Sequence, residues 1–355
     1  MFQGTHEILI FSCFLIFILM MLALDLGVFN KRSHALSFRE ALAWTIVWVG
    51  ISLLFYLLIR FFGYQLHNLN DIEGIKANVF KYHHPIKVDG LSFEAAIDLY
   101  NHNLALEYLT GYLIEYSLSV DNIFVIIMIF LSFNIPSRYY HKVLFWGILG
   151  AIIMRFIFIF AASVLIQRFE GILYIFGGFL IIIGVKMGWG FFTKKEEDKI
   201  DPHNHPFVRL ISRYFPVSAD DKGSRFWIRE NGKFYITPLL IVLLMIEFFD
   251  VIFAVDSVPA VFSVTRDPFI VFFSNIFAIL GLRSLFFLVN NVMDLFHYLK
   301  LGLAFLLTYV GIKMIVQLAF ELPVSSQRSL MIIISILAIF ILLSIIFPKK
   351  KEVAG

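Results

Sequence analysis

Hydrophobic residues run along this chain in long unbroken blocks, without the alternating or one-sided patterns of soluble strands and helices. Blocks able to cross roughly 30 Å of hydrocarbon fall at 8–29, 42–62, 107–133, 143–165, 172–192, 238–262, 269–289, 299–320 and 330–347. The pattern predicts an all-α polytopic membrane protein with about nine transmembrane helices. Thr237-Pro238 reads as an N-cap followed by a first-turn proline, which gives the sixth block a defined start. The first block is too long for a signal-peptide core and lacks a positive start or a small-residue cleavage site, so a retained helix is expected. Two polar segments interrupt the pattern. In 63–102 the later part places Phe93, Ile97 and Tyr100, with Leu104 beyond, at helical spacing, as in a short interfacial helix. Segment 194–233 is charged and punctuated by Pro202, Pro206, Pro216 and Gly223, as in an extramembrane loop.

Acids recur inside the apolar blocks in a matched pattern. Glu115-Tyr-Ser-Leu-Ser-Val-Asp121-Asn122 and Asp250-Val-Ile-Phe-Ala-Val-Asp256-Ser257 each hold two carboxylates six residues apart. The likeness continues downstream. One copy reads Ile148-Leu149-Gly150, then Arg155, then Gly184-Val185-Lys186-Met187; the other reads Ile279-Leu280-Gly281, then Arg283, then Gly311-Ile312-Lys313-Met314. Each unit holds three blocks, and an odd number of crossings makes the second enter the membrane from the opposite side, an inverted repeat typical of transporters. The expected division is 1–106 (two helices and an outer polar connector), 107–193 (first three-helix repeat), 194–237 (cytoplasmic loop), 238–320 (second three-helix repeat) and 321–355 (last helix and basic tail).

A carboxylate in hydrocarbon costs about 2.5–3.5 kcal/mol on insertion scales, so acids placed there point to function. At about 100° per residue Glu115, Ser119 and Asn122 share one helix face, and so do Asp250, Ala254 and Ser257; Asp121 and Asp256 lie about 120° round. Pro259 is expected to kink its helix and free a carbonyl near Asp256. Asp25 and Glu247 are further intramembrane acids. Arg155 and Arg283 could pair with acids as static ion pairs, yet two arginines cannot neutralise all six, and cations or protons would fill the deficit. Lys186 and Lys313 lie nearer block ends and are expected to snorkel to headgroups.

Composition agrees with the pattern: 60% of residues are hydrophobic and 15% charged, against about 25% charged in soluble domains. The net charge of +3 acts as a topology signal, since no basic aromatic groove for nucleic acid is present. With the N-terminus outside, 18 Lys and Arg fall on the inner side and seven on the outer, which favours N-out, C-in across a cell membrane. Cys13 is the one cysteine, so no intramolecular disulfide or thiolate cluster can form. Carboxylates with Ser119, Asn122 and Ser257 suit hard divalent cations such as Mn²⁺, Mg²⁺ or Ca²⁺. Histidine is absent from the depths of the blocks, which argues against zinc or copper. His83, His84, His203 and His205 are expected to be solvated loop residues.

At Leu24-Asp25-Leu26-Gly27-Val28-Phe29, the two acid motifs, Arg229-Glu-Asn-Gly232, Glu247-Phe-Phe-Asp250, Asp256-Ser257-Val-Pro259 and Asp267-Pro-Phe-Ile-Val the chain resembles the TerC/Alx family of integral membrane proteins. The resemblance covers most of the chain. It implies a tellurium-resistance family name, manganese export and kinship with the LysE superfamily. It also implies metal ligation by Asp25, Glu115, Asp121, Asn122, Asp250 and Asp256, with Ser119, Glu247, Ser257, Arg155 and Arg283 in support.

The expected function is a transporter, and no enzyme, that exports a hard divalent ion through an acidic site at the bilayer midplane. Mn²⁺ is the expected substrate and no tightly bound cofactor is expected. No P-loop or ATPase motif is present, so energy would come from an ion gradient, with proton antiport as the route. A channel stays open as a reading. So does a membrane assembly factor that supports metalation or insertion of exported proteins. An intramembrane hydrolase is the weakest alternative, since no His-Glu-x-x-His or Gly-x-Ser-x-Gly sequence occurs. The partners implied are the lipid bilayer and a divalent ion.

Overall fold

The computed structural model describes residues 5–29, 37–133, 135–169, 171–193, 216, 225–230, 233–292, 298–320 and 326–347. Eleven α-helices are described: α1 (Thr5–Phe29), α2 (Phe38–Phe62), α3 (Ile72–Tyr82), α4 (Phe93–Ser132), α5 (Tyr140–Arg168), α6 (Ile172–Thr193), α7 (Pro238–Phe262), α8 (Pro268–Leu280), α9 (Leu282–Val292), α10 (Leu299–Phe320) and α11 (Ser326–Ile346). A 3₁₀ turn, Gly63–His67, follows α2. Among the described residues six helices (α2, α5, α6, α7, α10 and α11) are long and apolar enough to cross a membrane, and the bent pair α8–α9 makes a seventh if it is one span. The expectation of nine therefore stands at six to seven. Of the remaining two expected spans, 8–29 lies in α1 and 107–133 in α4, helices with some side chains outside the described residues.

Capping chemistry sets several helix starts. Ser37 and Glu40 form a reciprocal capping box at α2, the Glu40 carboxylate accepting from the Ser37 amide at 3.0 Å. Thr237 caps α7 with Pro238 in its first turn, as the sequence predicts. Asp267 caps α8 by accepting from the Phe269 amide at 3.0 Å.

Three local expectations are corrected. Phe93, Ile97, Tyr100 and Leu104 belong to no separate interfacial helix; they begin α4, which runs unbroken for 40 residues, about 60 Å, because neither a proline nor a cap interrupts it. The helix in the connector is α3 instead, started by Asp71, whose carboxylate accepts from the Gly74 amide at 2.6 Å. Pro259 sits in the last turn of α7, so that helix is continuous through Asp250 and Asp256, and the displaced hydrogen bond falls at its end. The break lies in the expected seventh span, at Gly281, where α8 and α9 meet at 43°. Within the expected loop, β1 (Trp227–Glu230) and β2 (Lys233–Ile236) pair antiparallel, Glu230 opposite Lys233; most of 194–224 lies outside the described residues.

α8 is the axis of the bundle. All of its 13 residues are buried, and its phenylalanines meet rings from other helices, Phe273 against Phe14 at 4.3 Å and Phe277 against Phe55 at 4.7 Å between centroids. α6 and α10 run antiparallel, Gly177 against Gly311 and Gly184 against Ala304 and Thr308. A Cβ built on Gly311 would lie 2.6 Å from the Gly177 carbonyl oxygen, which belongs to the backbone and cannot swing aside. Gly311→Val is accordingly expected to lower stability by more than the ~1–3 kcal/mol of ordinary overpacking. Thermal unfolding of the purified variant in detergent checks this, and an unchanged midpoint would contradict the close packing.

Candidate functional site

Four helices converge on one side chain. Arg155 of α5 is 1% exposed, and its guanidinium gathers groups from α4, α7 and α8. Nη2 and Nε bond Asp250 Oδ1 and Oδ2 at 3.1 and 3.4 Å, a two-point clasp on one carboxylate. Nη1 donates to Glu115 Oε1 in a very short ion pair, and to Ser257 Oγ and Asn275 Oδ1 at 3.1 Å each. Asn275 closes the ring by donating Nδ2 to Glu115 Oε2 at 2.8 Å. Glu115 of the first acid motif and Asp250 and Ser257 of the second therefore face one another across a single cation. The helical-wheel grouping places both sets on matching faces, and the geometry agrees.

Beside this hub lies a pocket of about 20 Å³, room for one water-sized occupant. Its polar lining is Ser119, Asn122, Asp250 and Arg155, and its walls are apolar, among them Ile126, Leu144, Ile246 and Phe253. Asp250 thus touches both the pocket and the arginine, and its side chain is 16% exposed where Glu115 is fully buried. One turn before Asp250, the Glu247 carboxylate lies directly against the backbone of Gly150, where a Cβ would collide with it. Two carboxylates share one guanidinium at the hub, so the local charge is one unit negative before Glu247 is counted.

The integral membrane protein TerC family model matches residues 100–352, which include every member of this hub. The chain belongs to the TerC family. Over 348 residues it is 40% identical to the protein of Escherichia coli (strain K12) named "Putative membrane-bound redox modulator Alx", covering 98% of each chain. It is 42% identical over 333 residues to the membrane protein STKORF319 of Myxococcus xanthus, covering 94% of this chain and 91% of that one. A membrane protein of Rickettsia bellii is 35% identical over 320 residues, covering 90% and 92%. No solved structure matches the chain.

Of the expected TerC-family site residues, Glu115, Asn122 and Asp250, with Ser119, Ser257 and Arg155, are gathered at the hub and its pocket, and Glu247 borders it. Arg283 is buried in α9. The side chains of Asp25, Asp121 and Asp256 lie outside the described residues. Among the described residues no three His, Cys, Asp or Glu side chains cluster as a metal cage; the two hub carboxylates meet through Arg155. Asn275 was missed by sequence reasoning, although Ser274-Asn275 is the one polar pair in the otherwise apolar α8.

Two expectations about cations and histidines fail in this TerC-family chain. Lys313 does not snorkel: it is 8% exposed and donates Nζ to the Ser263 carbonyl at 3.2 Å, while Lys186 is exposed. His84 is no solvated loop residue. It is buried with Nδ1 2.8 Å from Glu107 Oε1, because α3 folds it back onto α4; His83 beside it is exposed, and His203 and His205 lie outside the described residues. Nearby, His67 Nε2 meets Asp267 Oδ2 at 2.8 Å. Burial pushes the Asp267 carboxyl up, but His67, then His84 and the Phe269 amide, together outweigh burial and hold it below the usual carboxylate range.

Proposed function

We propose that this TerC-family protein is a secondary transporter exporting a hard divalent cation, Mn²⁺ foremost, in exchange for protons. The observation that carries the reading is the Arg155 hub: acids from two matched motifs share one guanidinium beside a pocket sized for a single ion. A cation entering at Asp250 competes with Arg155 for that carboxylate. The guanidinium stays neutralised by Glu115 while Asp250, Asn122 and Ser119 supply hard oxygen ligands. Asp121, Asp256 and Asp25 are proposed to complete the ligand set in one or other of the inward-open and outward-open states.

Nine spans, an N-terminus outside, a cytoplasmic C-terminus and two inverted three-helix units complete the proposal. Antiparallel packing of counterpart helices supports the inverted repeat: α6 lies against α10 in opposite directions, and α4 runs against α7, with Glu107 near Thr265 and Glu115 near Ser257. Relatives carry a redox-modulator name; with one cysteine this chain cannot perform internal dithiol exchange, so a redox effect here would be reached through the ion moved.

Mn²⁺, Mg²⁺, Ca²⁺ and Zn²⁺ flux into proteoliposomes of purified protein tests the reading. Saturable Mn²⁺ flux is the expected result, and binding without flux would replace the transporter with an assembly role. For topology, reporters fused after Ser137 and within 194–233 are expected to report cytoplasm, and one after Asp267 the outside. Opposite signals at the first two positions would sink the inverted arrangement.

A further inference from the structure

A second layer of buried titratable groups lies along α4 from the Arg155 hub and takes no part in it. Glu107 precedes Glu115 by eight residues, and Asp267 precedes Asn275 by eight. The two layers are therefore about 12 Å apart along the parallel helices α4 and α8. The layer consists of two dyads, His67–Asp267 and His84–Glu107, each at 2.8 Å. Thr265 ties them together, its hydroxyl donating to Glu107 Oε2 at 2.5 Å and accepting from the Asp267 amide at 3.3 Å. Asn103 donates to Glu107 Oε1 at 2.7 Å. All four dyad side chains are at most 2% exposed.

Charge counting shows what such a layer can hold. Glu107 and Asp267 bring two negative charges, and Lys313, within electrostatic reach of Glu107 and donating to the Ser263 carbonyl, brings one positive while it is protonated. The phenols of Tyr82 and Tyr100 border the histidines as neutral rings. Arg266 and Lys81 are partly exposed, so solvent screens their charge. With both histidines neutral the layer is one positive charge short; with one protonated it balances; with both it is one over. His84 also has a place for the proton. Its Nδ1 faces the Glu107 carboxylate and so carries the ring hydrogen of the neutral form, while Nε2 is buried without a hydrogen-bond partner.

We propose that the His67–Asp267 and His84–Glu107 dyads form a proton-binding site that holds one proton shared between the two histidines and gives it up when a divalent cation binds beside Arg155. The exchange half of this proposal rests on the transport reading above. No bond other than N–H is made or broken: the proton leaves an imidazole nitrogen for water as the cation's charge arrives. At an effective dielectric constant near 20, unit charges about 12 Å apart alter each other's binding about tenfold, enough to couple the layers without direct contact.

The test has two arms. Nuclear magnetic resonance of ring-¹⁵N-labelled histidine in nanodiscs, with signals assigned through His67→Gln and His84→Gln, is expected to show the pair taking up one proton in total between pH 9 and 5. Uptake of none or of two by the parent protein overturns the site. In the second arm, Mn²⁺ flux into proteoliposomes is measured with and without a pH gradient. The His67→Gln/His84→Gln double variant, which leaves no imidazole in the layer, is expected to keep downhill Mn²⁺ flux and lose the acceleration by the gradient, about tenfold in the parent; undiminished acceleration overturns the coupling. A parent that moves no Mn²⁺ under any gradient sinks the transport reading and the coupling with it, and the resonance titration still decides whether the proton site exists.

Discussion

Replacing Arg155 with glutamine is expected to end transport and to cost about 3–5 kcal/mol of stability, the usual consequence of removing one partner from a buried ion pair. Glutamine ends near the position of the arginine Nε, two bonds short of the Nη1 that holds Glu115, Ser257 and Asn275, and it cannot neutralise Glu115 and Asp250, which the guanidinium now clasps together. Adding Glu115→Gln removes the more deeply buried of the two stranded charges. The double variant is therefore expected to regain most of the lost stability while remaining inactive. Thermal unfolding in detergent and Mn²⁺ flux in proteoliposomes read the two effects separately. Flux in the single variant would remove the hub from the mechanism, and a double variant no more stable than the single would assign Arg155 a packing role.

Asp250→Asn is expected to leave the protein folded and to weaken Mn²⁺ binding by more than the ~10–100-fold that losing an outer-shell group costs a metal site. The amide keeps the size of the carboxylate and can still accept from Arg155, so the hub stays assembled around Glu115. The pocket, however, loses the one formal negative charge among its lining residues. Isothermal titration of purified parent and variant at a fixed pH measures the difference. Equal affinities would place the ion elsewhere, and a variant that fails to accumulate in the membrane would favour a static ion pair.

The hub was partly legible because charge in hydrocarbon is expensive: paired acids and mid-block arginines stand out against so apolar a background. Helical geometry then put Glu115 with Ser119 and Asn122, and Asp250 with Ser257. Which arginine serves which acids depends on how four helices cross, and no local pattern carries that. The histidine layer was illegible for a related reason, since His67 and Asp267 lie 200 positions apart and look like ordinary connector residues. The Ile-Leu-Gly motif shows the limit most clearly. At Gly150 α5 runs straight through, and at Gly281 the corresponding helix breaks, so the same three residues give two backbones according to what packs on them. The long run of α4 was readable from the lack of any proline between Phe93 and Ser132, a signal weaker than the change from polar to apolar composition that split it.

That helix makes the polar connector a structural part of the protein and no spare loop. About half of its length exceeds what the hydrocarbon layer needs. The surplus is bolted down: Asn101 bonds Tyr64 and Phe61 backbone, Tyr100 bonds Asn78, and Arg60 pairs with Asp98. A tag or linker inserted between Tyr64 and Tyr82 would disturb the anchorage of the same rod that carries Glu107 and Glu115. The turn at Gly90, exposed, at φ +76° and with nothing near its Cβ position, is the point in the connector where extra chain can enter and leave that anchorage whole.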